Sequence, residues 1–188
     1  MTEFEELYPY IYQCKNILDP WTFMDLHSYF FNAVDMGGLT FKKESDAPKT
    51  ANRWLALQKP LVDDQSLGDD FYLINLGAKL KYEVQRVLGY NVTLIRVNTN
   101  IQFPYQDSTF HSDGGTDTWT LLVFFTKNWN TSWGGEFIIC KGDDDYMGIP
   151  YIPNRGVLFN GAIDHRGSAP NSLAEYPRLS IAFTYREV

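Results

Sequence analysis

The chain has 188 residues, 44% hydrophobic and 16% aromatic, which is enough for one domain with a sizeable core. A formal net charge of -7 disfavours a nucleic-acid partner, because a phosphate backbone is gripped by basic surface. No apolar run approaches the length that spans a bilayer, and residues 1–6 lack the basic start and apolar run of a secretory signal, so no membrane partner is expected and the expected location is cytoplasmic. Oligomeric state is not legible in the sequence.

Residues 11–18 read as a strand. Asp19-Pro20 then sets a capping carboxylate ahead of a proline suited to the first helical position, and Phe23, Leu26, Phe30 and Val34 recur at steps of three and four. This spacing predicts an amphipathic helix ending near Gly37-Gly38. His27 lies beside the stripe with no partner motif and reads as helix packing or surface rather than a ligand. Residues 40–67 lack clean periodicity and suit either a surface excursion containing a short strand or a substrate lid, with Arg53 and Trp54 as candidates to touch a substrate. Asp69-Asp70 opens a second helix with the stripe Leu73, Leu76, Leu80, Val84 and Val87, stopping at Gly89.

From Asn91 onward the period drops to two. Residues 92–97, 103–113, 118–126, 136–140, 156–160 and 178–186 read as strands, separated by turn-rich pieces such as Lys141-Gly142-Asp143. Helices followed by runs of strands predict an α+β class: a largely antiparallel sheet with helices packed on one face. Asp143-Asp144-Asp145 lacks the spaced ligands of a calcium loop and reads as a solvated turn. Cys14 and Cys140 suit small buried hydrophobes better than a disulfide framework, and Trp119, Trp129 and Trp133 read as structural.

Chemistry concentrates at His111-Ser112-Asp113. On an extended strand, residues two apart share a face, so an imidazole and a carboxylate stand together. His165, after the strand at 156–160, can supply a third ligand. Two histidines and one carboxylate leave open coordination positions on Fe(II), which an oxygenase uses for its cosubstrates; catalytic zinc uses the same residue types, so the ligands alone leave the metal open. In the last strand Arg178, Ser180, Ala182 and Thr184 share one face and Leu179, Ile181, Phe183 and Tyr185 the other. An arginine on the polar, inward side needs an anion, and Ser180 can join it on one carboxylate.

Together these pieces resemble the Fe(II)/2-oxoglutarate-dependent oxygenases, in the prolyl 4-hydroxylase-like branch. The resemblance rests on His111-Ser112-Asp113, on the run from Phe124 through Trp129, Trp133 and Gly134-Gly135 to Glu136-Phe137, on Asn154-Arg155-Gly156-Val157-Leu158-Phe159, on His165, and on Arg178-Leu179-Ser180. It covers residues 94–185.

The resemblance implies a single domain over 1–188: a helical N-terminal part at 1–90 with a candidate substrate loop, and at 91–188 a double-stranded β-helix, or jelly roll. It implies iron held by His111, Asp113 and His165 as the catalytic and metal residues. The 2-oxoglutarate would be bound through Arg178, with Ser180 and Tyr105 assisting; Asn100 and Gln102 are the other upstream candidates for that help. Dioxygen is the co-oxidant, ascorbate a supporting reductant, and the presence of Asp113 favours hydroxylation over halogenation. The implied reaction is hydroxylation of a C–H bond, with a prolyl residue of a peptide or protein as the expected substrate. A free small molecule is the alternative substrate, and a non-catalytic jelly-roll module that binds a metal or ligand is the alternative role. A cupin isomerase fits less well, because the further histidine and glutamate usual in cupins are absent.

Overall fold

The computed structural model describes residues 2–35, 41–43, 55–57, 59–63, 66–67 and 71–188. The expected helix end at Gly37-Gly38, the candidate contacts Arg53 and Trp54, and the Asp69-Asp70 helix start lie outside the described residues.

Strands β1 (Phe4–Tyr8) and β2 (Ile11–Cys14) form an antiparallel hairpin ahead of helix α1 (Pro20–Asp35). The helix starts where Asp19 predicts: its Oδ1 accepts from the backbone N–H groups of Trp21 and Thr22, both at 3.0 Å, and its Oδ2 accepts from the Thr22 hydroxyl. Strands β3 (Phe41–Lys43) and β4 (Leu55–Leu57) pair with each other. Next come β5 (Lys59–Asp63) and β6 (Ser66–Leu67), and β5 joins the edge of the main sheet. Within residues 40–67 the described pieces are therefore strands, and two of them extend the sheet. Helix α2 (Phe71–Leu88) follows; it stops at Gly89, whose φ of 80° is a left-handed cap.

The remaining strands are β7 (Val92–Gln102), β8 (Thr118–Phe124), β9 (Phe137–Gly142), β10 (Asp145–Ile149), β11 (Gly156–Asn160), β12 (His165–Gly167) and β13 (Arg178–Glu187). Eight strands form one sheet in the order β1-β2-β11-β8-β13-β7-β5-β6, and β10-β9-β12 form a second. Every strand pairing among the described residues is antiparallel. Strands β1, β10 and β12 carry no clear period-two signal and were not foreseen. The turn at Asp143 and Asp144, with φ values of 25° and 61°, links β9 to β10 as the solvated turn expected from the acidic run.

Two cores sandwich the large sheet. On its outer face Leu179, Ile181, Phe183 and Tyr185 of β13 meet Leu26 and Phe30 of α1 and Leu73, Leu76, Leu80 and Val84 of α2. On its inner face Leu122, Phe124, Phe159 and Ala182 meet Phe137, Ile139 and Ile149 of the small sheet. The alternation in the last strand thus separates the two faces as predicted. Stacked Tyr29 and Tyr72 rings, 4.7 Å apart, tie the helices together.

The expected strand at 103–113 does not form. Pro104 has no N–H for a ladder, Tyr105 takes a φ of 69°, and Gln106 N–H closes a turn on the Phe103 carbonyl at 3.2 Å. Only one β-bridge survives there, between His111 and His165.

Candidate metal centre

That single bridge builds the centre. The His111 N–H donates to the His165 carbonyl at 3.0 Å and the His165 N–H returns the bond at 2.9 Å, so the two residues are directly opposed and their side chains leave from one face. The rings lie 4.5 Å apart. Asp113 and Gly114 N–H both donate to the Gly161 carbonyl, at 2.9 and 3.0 Å, which holds the carboxylate beside the histidines without a continuous strand. The expected side-by-side placement of His111 and Asp113 is therefore reached, but through pairing with residues 161–165 rather than by strand alternation.

One ligand atom from each of His111, Asp113 and His165 lies within 4.8 Å of the others. His165 Nε2 stands 3.7 Å from Asp113 Oδ2. Both imidazoles are oriented from behind: Nδ1–H of His111 donates to the Thr109 carbonyl at 3.0 Å and Nδ1–H of His165 to the Ile163 carbonyl at 2.8 Å. A carbonyl can only accept, so each Nδ1 carries a proton, and in the neutral form of such a ring the Nε2 lone pair is left for a cation. Burial pulls the His165 pKa below its usual 6.5 against the opposing pull of Asp113, which favours that neutral form. Two imidazoles and one carboxylate fit a divalent transition metal. His27 sits on α1, outside this cluster.

Arg178, at the start of β13 and only 2% exposed, points to the same inner face. Its Nε–H donates to the Gly135 carbonyl at 2.8 Å, and its Nη1 donates to Gln102 Oε1 at 2.8 Å and to Ser180 Oγ at 3.2 Å. The Phe124 and Tyr151 rings flank the guanidinium at 5.3 and 5.4 Å. Burial lowers its pKa to about 10, so it is a cation at neutral pH. Its Nη2 is buried and has no hydrogen-bond partner. A buried cationic donor left unpaired is costly, and an incoming carboxylate is the group that completes it. A side chain at position 167 would crowd this arrangement, because a Cβ on Gly167 falls 2.9 Å from Gln102 Oε1 and 3.3 Å from Arg178 Nη1.

The structure brings His111, Asp113 and His165 together and places Ser180 against Arg178. It does not bring Tyr105 there: that residue is 82% exposed on the turn after Pro104. Of the three upstream candidates, Gln102 is the one that touches Arg178, because it is the register partner of Arg178 across β7 and β13. Sequence reasoning missed Thr120, which donates to Asp113 Oδ2 at 2.7 Å, and Arg96, which pairs with Asp113 Oδ1 at 3.1 Å. The period of two along β7 carries the signal for Arg96, since residues 96, 98, 100 and 102 share a face.

No family model matches the chain, and no curated protein matches it. Solved structures do. A prolyl-4-hydroxylase from Pseudomonas putida superposes with a TM-score of 0.67 at 16% identity, covering 95% of this chain and 93% of that one. A prolyl hydroxylase from Trichoplax adhaerens, in complex with a hypoxia inducible factor oxygen degradation domain peptide fragment, gives 0.71 at 16% identity over 95% and 84%.

The chain has the fold of the 2-oxoglutarate/Fe(II) oxygenases.

A third oxygenase-fold structure, the epimerase SnoN in complex with Fe3+, alpha ketoglutarate and nogalamycin RO, gives a TM-score of 0.69 at 12% identity over 95% and 79%. These identities establish a shared oxygenase fold rather than a shared substrate.

Proposed function

We propose that the protein is an Fe(II)- and 2-oxoglutarate-dependent dioxygenase that hydroxylates a substrate C–H bond, with a prolyl residue of a peptide or protein as substrate. The observation that carries this reading is the pairing of two features on one inner face: a His-Asp-His cluster with one ligand atom of each residue within 4.8 Å of the others, and a buried arginine with one donor unpaired. The two facing sheets are read as the jelly roll that presents them.

His111, Asp113 and His165 hold the metal, and the carbonyls of Thr109 and Ile163 keep the imidazoles aimed. Arg178 Nη2–H and the Ser180 hydroxyl take the distal carboxylate of 2-oxoglutarate, while Gln102 and the Gly135 carbonyl hold the guanidinium still. The arginine thus serves the carboxylate through one nitrogen plus a hydroxyl, not through both arms of its fork. When bound, iron supplies the coordination sites for 2-oxoglutarate and dioxygen and the redox chemistry that inserts oxygen. Phe124, Phe137 and Phe159, all buried around His165 and Arg178, exclude water from that space.

The prolyl assignment draws on the two prolyl hydroxylase folds, one of them holding a peptide; the small molecule held by SnoN supports the alternative of a free small-molecule substrate. The test is turnover of protein with Fe(II), ascorbate and 2-oxoglutarate, followed by mass spectrometry of proline-containing peptides for a one-oxygen gain. Succinate should form, and Asp113→Ala should abolish it. Succinate with no oxygen gain on any peptide redirects the search to small molecules, and iron binding without succinate in any condition favours a non-catalytic metal-binding module.

A further inference from the structure

Arg96, Thr184 and Thr120 form one row across three neighbouring strands: Thr184 of β13 is the register partner of Arg96 on β7 and of Thr120 on β8. Their side chains close a ring on Asp113. Arg96 Nη2 donates to the Asp113 main-chain carbonyl at 3.0 Å and to Thr184 Oγ1 at 3.3 Å, and forms an ion pair with Asp113 Oδ1 at 3.1 Å. Thr184 and Thr120 hydroxyls lie 3.4 Å apart, and the Thr120 hydroxyl donates to Asp113 Oδ2 at 2.7 Å.

Donor chemistry gives this ring a direction. A guanidinium only donates and an ionised carboxylate only accepts, so Arg96 gives to Thr184, Thr184 must give to Thr120, and Thr120 gives to Asp113. Both threonines are essentially inaccessible to solvent, which keeps water from competing for those hydroxyls. The two carboxylate oxygens end in different situations. Oδ1 is turned to the guanidinium, whereas Oδ2 lies beside His165 Nε2 at 3.7 Å and keeps a lone pair beyond the one that Thr120 uses.

We propose that Arg96 is a positioning residue that, through this ring, makes Asp113 a one-oxygen ligand. Rotation of the carboxylate toward a two-oxygen grip would break the Arg96 pair and the Thr120 hydrogen bond together. A carboxylate held to one oxygen leaves a coordination position open that a two-oxygen grip would fill, and an open face is what a two-histidine, one-carboxylate centre requires. The inference rests on the reading of His111, Asp113 and His165 as a metal centre.

The test is Mn(II) titration of the metal-free protein by calorimetry, without 2-oxoglutarate, for wild type, Arg96→Met, Arg96→Lys and Thr184→Val. The Co(II) visible absorption of each protein, which responds to coordination number, and its melting curve are recorded alongside. Arg96→Met should weaken Mn(II) binding about ten- to a hundred-fold, the range found when a partner behind a metal ligand is lost, and should change the Co(II) spectrum. Arg96→Lys should recover part of both, and Thr184→Val, which leaves the shape of the core intact, should shift them in the same direction by less. Unchanged or tighter Mn(II) affinity with a wild-type Co(II) spectrum, in whichever of Arg96→Met and Thr184→Val folds, overturns the role of Arg96 and leaves the metal centre standing. Absence of Mn(II) and Co(II) binding by the wild type overturns the metal centre itself, and the proposal with it.

Discussion

Arg178 keeps one nitrogen in reserve because its other donors are already engaged, by Gly135, Gln102 and Ser180. Replacing it with methionine preserves most of the buried volume and removes the cation. Calorimetric titration of Arg178→Met with 2-oxoglutarate should show affinity weakened by about 1.5 to 3 kcal/mol, roughly ten- to a hundred-fold, as for a hydrogen bond to a charged group. Ser180→Ala should lose less, and unchanged affinity in both variants removes the pair from the cosubstrate site. Cys14 behaves oppositely, as a group kept neutral. Burial raises its thiol from the usual 9.0 to about 12, against the lowering pull of the Gly156 backbone hydrogen bond. The unfolded chain gives up this proton above pH 9 while the folded protein holds it, so the thiol's contribution to stability is present below pH 9 and declines as pH climbs toward 12. Iodoacetamide at pH 8 should therefore label half-buried Cys140 well before Cys14 in the native protein, with both labelled in denaturant, and Cys14→Ala should flatten the alkaline loss of stability. Peptide mapping by mass spectrometry and melting curves from pH 8 to 11 check the two outcomes.

At the scale of elements, α2 shows how a sequence-level preference is reversed by packing. Gly77 lies in the middle of the helix, where alanine is ordinarily better by about 1 kcal/mol. Here a Cβ would fall 2.8 Å from side-chain atoms of both Leu94 and Phe183, and the Gly77 carbonyl accepts from the Tyr185 hydroxyl at 2.9 Å. Gly77→Ala should therefore destabilise the protein by about 1 to 3 kcal/mol, the usual cost of overpacking, by lifting α2 from β7 and β13. Urea denaturation checks the sign, and a stabilised variant would show that the helix floats on the sheet. The helices themselves were legible because their buried stripes recur at three and four: Leu26 and Phe30 in α1, and Leu73, Leu76, Leu80 and Val84 in α2, are all buried. The strands β10 and β12 were not, because three to five residues with one half-buried face carry too little periodicity, and β12 earns its place by pairing with β9 rather than by its own composition.

Across the whole molecule, the candidate centre joins parts that are remote in the chain. His111 and Asp113 come from an irregular connection, His165 from the small sheet and Arg178 from the middle of the large one. A metal that binds only when these parts are assembled must stabilise the fold by mass action. At a free concentration a hundred times its dissociation constant it contributes about 2.7 kcal/mol, which for a domain of this size raises the melting temperature by roughly 5 to 10 °C. Scanning calorimetry with Mn(II) plus 2-oxoglutarate should show that rise, chelator should reverse it, and the His165→Ala protein should show none. No described helix is long and apolar enough to cross a membrane.

The sequence by itself determined the residue types and the alternation that make the centre conceivable: His111, Asp113 and His165 as ligands, and Arg178 with Ser180 on the inward face of a strand whose other face is apolar. These are local properties, written in periods of two and three to four. Tertiary structure decided how they meet. A single antiparallel bridge opposes His111 and His165 after Pro104 and Tyr105 break the expected strand, cross-strand register sets Gln102 rather than Tyr105 against Arg178, and a row across three strands puts Arg96 on Asp113. The physical reason is that register between strands far apart in the chain is set by the packing of both sheet faces together, and no window of the sequence contains both partners.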